Sequence, residues 1–179
     1  MCLLGYAGFL RFSELASLKR SDISFFPSHV KLYLGKSKTD VYREGREVAI
    51  SKTGTITCPI DMLDRYLKLA GTSENSVDLI FRSVSFCKST DSYKLRNSGQ
   101  ISNTGARDIV FSALKAVDLD KVELGLHSLW SSGASAAAAA GIDDRLFKKH
   151  GHWKSDKTKD GYVKENIDVR LSVSKNLGI

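Results

Sequence analysis

The chain has no run approaching the roughly 20 apolar residues that a membrane-spanning helix requires. It is also short of cysteine. Cys2, Cys58 and Cys87 are odd in number and far apart, which argues against a disulfide framework or a structural zinc site and for a reducing compartment. Only two prolines occur, no proline-rich linker is visible, and no internal repeat emerges. Residues 1–9 are apolar but carry no basic leader and no small-residue cleavage site, so no secretory signal is expected. The chain opens on a helix-like segment with nothing ahead to cap it. The expectation is one domain, residues 1–179, that is a fragment of a longer protein.

What remains is a chain of 179 residues, 42% apolar, long enough to bury one core. Its net charge of +7 is unevenly spread. Residues 1–53 hold nine basic and five acidic side chains, residues 54–140 nine of each, and residues 141–179 nine against six. The positive excess therefore lies at the two ends. A basic surface suits a nucleic-acid partner, because neutralised phosphates release counterions.

Hydrophobic periodicity predicts a mainly α domain with a small antiparallel β-sheet (α+β). Residues 2–10 read as a buried helix, and Ser13 as the N-cap of a short helix over 14–19. Residues 30–34 and 46–50 alternate with period two around a polar loop, the pattern of a hairpin. Pro59 opens a helix that stops before Gly71, and 83–101 reads as an exposed loop. Asn103 or Thr104 caps a helix to about Val117. His127 starts another through Ala134–Ala140 until Gly141, and Asp143 and Asp144 open a third to His150.

Three short stretches carry the chemistry. The first is Gly8-Phe9-Leu10-Arg11-Phe12-Ser13-Glu14-Leu15, the second Leu126-His127-Ser128-Leu129-Trp130, and the third Lys149-His150-Gly151-His152-Trp153-Lys154-Ser155, followed by Tyr162. Arg, His and Tyr are the side chains needed to break a phosphodiester without a metal. Guanidinium pairs two phosphate oxygens at once and keeps its charge. Two histidines one residue apart, with no cysteine and no carboxylate pair, make a poor metal site, so neither metal nor cofactor is expected. Tyrosine, with its pKa near 10, needs cationic neighbours to attack phosphorus at neutral pH, and Lys154, Lys157, Lys159 and Lys164 flank Tyr162.

In this order the stretches resemble the active-site boxes of tyrosine recombinases, the phage-integrase family of site-specific DNA recombinases. The wording His-Gly-x-Trp-Lys-Ser with Lys-Asp-Gly-Tyr-Val is most similar to recombinases of eukaryotic mobile elements, the crypton and DIRS-like group. Spacing to the tyrosine is one residue longer than in the commonest bacterial form. The resemblance implies a tyrosine-recombinase catalytic core in which Arg11 grips the scissile phosphate and Glu14 buttresses the site. Lys38 on the hairpin, with Lys36 as the fallback, would protonate the leaving 5′-oxygen. His127 would aid proton transfer, His152 would hydrogen-bond the phosphate, and Tyr162 would be the nucleophile. Lys36, Arg43, Lys148, Lys149, Lys154 and Lys157 are candidate DNA contacts.

One position departs from the pattern. Where the family has His-x-x-Arg, the second phosphate clamp, residues 127–130 end in Trp130. Indole offers one N–H and no charge, and loss of one preorganised donor costs roughly 10²–10³ in rate. The resemblance further implies duplex DNA as substrate and a tetramer upon it, with no membrane partner. The tail 169–177 would dock as a helix on a neighbouring protomer, and the family's N-terminal clamp domain would be missing. It implies nuclear action if the origin is a eukaryotic mobile element, otherwise cytoplasmic, and not secretion. Two other readings stand beside strand transfer: a catalytically impaired or domesticated DNA binder, and a type IB topoisomerase-like enzyme.

Overall fold

Two glycines, Gly8 and Gly151, mark where the chain turns sharply at each end of the domain. In the computed structural model, which describes residues 1–35, 45–119, 125–161 and 171, neither is the left-handed residue of its turn. Helix α1 (Cys2–Ala7) ends three residues before the expected Leu10, because Phe9 adopts φ 47° and lets the Leu10 N–H reach back to the Gly5 carbonyl at 3.0 Å. The Gly8 hydrogen instead allows close packing, since a Cβ there would sit 3.0 Å from the Ile50 side chain. Helix α2 (Phe12–Ser17) is capped by Arg11 rather than by Ser13. The Glu14 carboxylate accepts the Arg11 backbone N–H at 2.8 Å and closes the turn, leaving Ser13 inside the helix.

The expected hairpin is present as β2 (His29–Leu34) and β3 (Arg46–Ser51), and a short β1 (Ile23–Phe25) extends it to an antiparallel sheet of order β1-β2-β3. The register pairs Val30 with Ile50, Leu32 with Val48 and Leu34 with Arg46. This parity turns Val30, Leu32, Val48 and Ile50 into the core, where all are at most 3% exposed. Helix α3 (Pro59–Leu69) places Pro59 in its first turn and buries Ile60, Leu63 and Leu67.

The stretch read as a loop over 83–101 is instead a two-stranded antiparallel ribbon, β4 (Arg82–Cys87) and β5 (Ser92–Gln100). Its Ser/Lys/Asn content masked an alternation of Val84, Phe86, Tyr93 and Leu95 with polar residues. Helix α4 (Asn103–Lys115) begins where the Ser102 hydroxyl accepts the Gly105 N–H, one residue ahead of the expected caps. Helices α5 (Leu126–Ala139) and α6 (Asp144–Gly151, capped by Asp143) fall where expected, and α7 (Asp156–Asp160) follows.

Most buried apolar residues form one core between α1, α2, the three-stranded sheet and α3. A second, aromatic cluster of Phe9, Trp130, Ala134, Phe147 and Trp153 joins the α1 turn to α5 and α6. Gly133 lets α5 lie directly against the backbone of Tyr6, where a Cβ would collide with the Tyr6 carbonyl. The alanine-rich helix is thus explained by close approach.

Candidate active site

The first and last boxes, 140 residues apart, meet through Phe9. Its ring lies 4.7 Å edge-on from His150 and 5.8 Å from Phe147, and His150 Nε2 donates to the Ala7 carbonyl at 2.9 Å. The last box closes as the first does. His152 takes the left-handed conformation (φ 51°), and the Trp153 N–H bonds back to the Lys148 carbonyl at 3.2 Å. A non-glycine residue held in that conformation costs on the order of 1 kcal/mol or more. That cost falls on the two residues, Phe9 and His152, that aim the boxes at one another. Gly151 leaves room for the Trp153 ring, which would otherwise meet a Cβ.

Trp130 is the hub. It is 1% exposed, with Trp153 edge-on at 5.6 Å, the exposed His127 ring stacked at 5.2 Å, and the Arg11 guanidinium over its face at 5.5 Å. The indole therefore both fills the core and supports Arg11 by a cation–π contact. On the other side of Arg11 lies Glu14, buried at 3% exposure. One of its oxygens receives Arg46 Nη2 at 2.6 Å and stands 3.8 Å from Arg11 Nη1. Two guanidiniums thus converge on one buried carboxylate.

Arg46 belongs to β3, and the next residue on that strand holds His152: the imidazole Nε2 donates to the Glu47 carbonyl at 3.2 Å. A carbonyl only accepts, so Nε2 carries the proton and Nδ1 is the nitrogen left for other partners. Desolvation of the ring's inner side, then the Arg46 charge, lower the His152 pKa below the usual histidine value, favouring neutral imidazole in the free protein. A cleft of about 590 Å³ opens beside these groups between α1, β3, α5 and α6, with His150 and His152 on its wall.

The structure thus brings Arg11 and His127 together on Trp130, and ties His152 to β3 one residue from Arg46, the partner of Glu14. Of the candidate DNA contacts, Lys149, Lys154 and Lys157 are exposed, whereas Lys148 is engaged with Asp156 at 2.9 Å. Lys159, read as a cationic neighbour of the tyrosine, has its ammonium bound to Asp144 and near Asp156 and Asp160. Lys36, Lys38, Arg43 and Tyr162 lie outside the described residues. Sequence reasoning missed Arg46. The signal was strand parity: Arg46 shares the inward face of Val48 and Ile50, and a charge there requires a partner.

Residues 1–168 match the Phage integrase family. The chain belongs to that family. It is 29% identical over 163 residues to an integrase/recombinase XerD homolog of Selenomonas ruminantium, covering 90% of this chain and 45% of that protein. Its fold is similar to the crystal structure of XerA recombinase (TM-score 0.70, 20% identity, 99% of this chain and 55% of that one). It is also similar to XerH site-specific recombinase bound to a palindromic difH substrate after cleavage (TM-score 0.66, 17% identity, 98% and 43%). A further similarity is to the Tn1549 transposon integrase in complex with circular intermediate DNA (TM-score 0.58, 11% identity, 96% and 55%). The chain spans about half the length of the relatives it matches. The fold expected from the sequence, mainly helical with a small antiparallel sheet as in a tyrosine-recombinase catalytic core, is the fold observed, with the β4–β5 ribbon as a second small sheet.

Proposed function

We propose that this chain is the catalytic part of a site-specific DNA recombinase that breaks and rejoins strands through a 3′-phosphotyrosyl intermediate. The observation that carries the reading is that Arg11 and His127 meet on the Trp130 ring, while His152 is anchored on the strand beside Arg46, which shares the Glu14 carboxylate with Arg11. In this reading Arg11 holds the scissile phosphate, with its guanidinium braced between Glu14 and the Trp130 face. The Tyr162 hydroxyl yields its proton to His127 as its oxygen attacks phosphorus, the bond from phosphorus to the 5′-oxygen breaks, and the departing oxygen takes a proton from Lys38. The reverse attack by a 5′-hydroxyl restores the diester and frees the tyrosine, so neither metal nor nucleotide hydrolysis enters. His127 assists proton movement and His152 meets the phosphate through Nδ1. Lys36, Arg43, Lys149, Lys154 and Lys157 contact flanking phosphates.

The remaining assignments belong to the same proposal. A tetramer on two duplexes supplies four active sites, and the segment that makes relatives twice as long supplies the DNA clamp. The wording around His152 and Tyr162 favours a eukaryotic mobile-element lineage of the crypton or DIRS-like kind, with action in the nucleus. The test is a nicked duplex that traps the cleaved strand: the protein should form a denaturant-resistant adduct, and Tyr162→Phe should abolish it. One observation favours a second reading, a DNA binder without turnover: Trp130, in the place of the second arginine, is committed to the core. Salt-sensitive duplex binding with no adduct under any condition would select it.

A further inference from the structure

The middle of the chain is neutral overall, yet its charge is not mixed. Of the nine basic residues in 54–140, four (Arg82, Lys88, Lys94 and Arg96) fall within the β4–β5 ribbon, against the single acid Asp91. The register sorts this ribbon into two unlike faces. Val84 opposes Leu95 and Phe86 opposes Tyr93 on one face. Ser85 opposes Lys94 and Cys87 opposes Ser92 on the other, and Arg96 is exposed in the irregular stretch that follows, where the pairing shifts between Val84–Leu95 and Arg82–Gln100. Phe86 and Tyr93 pack on each other across the strands at 5.0 Å, although both remain exposed (48% and 75%). An isolated hairpin is marginal in water, and this cross-strand aromatic pair is what stiffens it. The opposite face is hydroxyl-rich and positive. At its tip Asp91 adopts φ 44°, and Lys88 projects into solvent from the turn.

We propose that the polar face of the β4–β5 ribbon, through Lys94 and Arg96 with Lys88 at the tip, is a duplex-DNA contact separate from the residues that grip the scissile phosphate. The inference rests on the DNA-binding reading above and adds a surface to it. A two-stranded ribbon fits the major groove of B-DNA, and six residues of strand cover about 20 Å, roughly half a helical turn. Charge complementarity selects the occupant. Protein interfaces deplete lysine at their centre, whereas a row of serine hydroxyls flanked by Lys and Arg suits phosphates and base edges.

The experiment measures binding of the whole chain to a mixed-sequence duplex of about three helical turns across a salt series, which reads the number of phosphates neutralised. Lys88→Gln/Lys94→Gln/Arg96→Gln should weaken binding at least tenfold and make the salt slope shallower by about 2–3, since each lost contact removes about 0.9. The unfolding temperature should not move, because all three side chains are exposed. Arg65→Gln/Lys68→Gln/Lys115→Gln removes the same charge from exposed positions on α3 and α4 and should alter the slope by less than one contact. Equal loss in both variants would show a general field and overturn the ribbon's role. A second readout uses Cys87, whose hydrogen bonds from Ser89 and Thr90 lower its pKa to about 7 and make it reactive. In a Cys2→Ser background, the Cys87 thiolate should exchange with a duplex carrying a tethered mixed disulfide, forming the cross-link and releasing the outer thiol, and failure to do so in a protein that binds would overturn the placement. If the triple variant binds normally while Phe86→Ser/Tyr93→Ser abolishes self-association, the ribbon is a protein interface and the proposal fails. If the parent binds no duplex at all, the DNA reading fails with it.

Discussion

Replacing Trp130 by arginine puts the architecture of the site under direct test. The indole is 1% exposed and packed among Phe9, Phe147 and Trp153. Removing that volume while keeping the aliphatic stem of arginine costs about 3 kcal/mol, the low end for a buried tryptophan truncation. The new guanidinium would lie about where the ring is, 5.5 Å from the Arg11 charge. At an effective dielectric constant of about 20, two unit charges at that separation repel by about 3 kcal/mol. The sum, roughly 6 kcal/mol, is a large share of the 5–15 kcal/mol that holds a domain together. For a chain of this length it corresponds to a fall of about 12–24 °C in unfolding temperature.

The same change rebuilds a two-arginine phosphate clamp, so an anion should repair what the charge pair undoes. Circular dichroism melts of Trp130→Arg in phosphate-free buffer, then with increasing phosphate, and finally with duplex DNA, separate the two effects. Expected is a steep loss without anion and a recovery that grows with the logarithm of ligand concentration, larger than in the parent. Trp130→Phe is the packing control and should show a smaller loss and no special response to phosphate. Adduct formation on a nicked duplex should rise in Trp130→Arg and vanish when Tyr162→Phe is added. A Trp130→Arg protein that melts with the parent in anion-free buffer would refute the role of Trp130 as both wedge and support. Equal adduct yields from parent and variant would show that Arg11 needs no second guanidinium at this position.

Glu14→Gln should leave Arg46, whose side chain is 11% exposed, without its counter-charge and cost about 3 kcal/mol by chemical denaturation, with Glu14→Gln/Arg46→Met regaining at least half. Because the folded His152 pKa lies below its unfolded value, its contribution to stability is complete above the ordinary histidine range. It is lost as pH falls through the lowered folded value, so the parent should lose stability below about pH 6.5 more steeply than His152→Gln. Phosphate binding through Nδ1 requires the imidazolium, so duplex affinity measured by anisotropy should rise with acidification in the parent more than in His152→Gln. Gly151→Ala should drive a methyl into the Trp153 ring and lower stability by about 1–3 kcal/mol in a thermal or chemical melt.

Where hydrophobic period and burial agree, the fold is legible in the sequence. The β2–β3 hairpin, α3 behind Pro59, and α5 and α6 bounded by Gly141 and Asp143 all follow from the pattern of apolar residues and punctuating residues. The failures have a common cause, which is that tertiary partners overrode a local signal. The first helix is expected to run to Leu10, but Gly8 packs against Ile50 and the left-handed conformation at Phe9 ends it at Ala7, as His152 does for the helix of the last box. Ser13 is a good cap by itself, yet the Glu14 carboxylate, pinned by Arg46 from a strand 32 residues away, moves the helix start to Arg11. No property of either short segment announces that pairing.

The same distinction separates what the sequence says about the site from what the packing adds. Arg11, His127 and His152 are candidates because the stretches that hold them resemble the boxes of the recombinase family. Trp130 was identifiable only as an exception. Its meaning comes from its neighbours: a residue that merely decayed from arginine at an exposed clamp would be expected to face solvent, whereas this indole is stacked by His127 and Arg11 and wedged against Trp153. The core has been built around an aromatic ring at that position. Arg11 is therefore held by two supports of different kind, a carboxylate shared with Arg46 and the face of a tryptophan. The carboxylate lowers the local positive charge and the ring does not. On the proposed reading, Arg11 keeps a braced guanidinium to offer a phosphate, and the deficit relative to the family pattern is one charge, not a collapsed geometry.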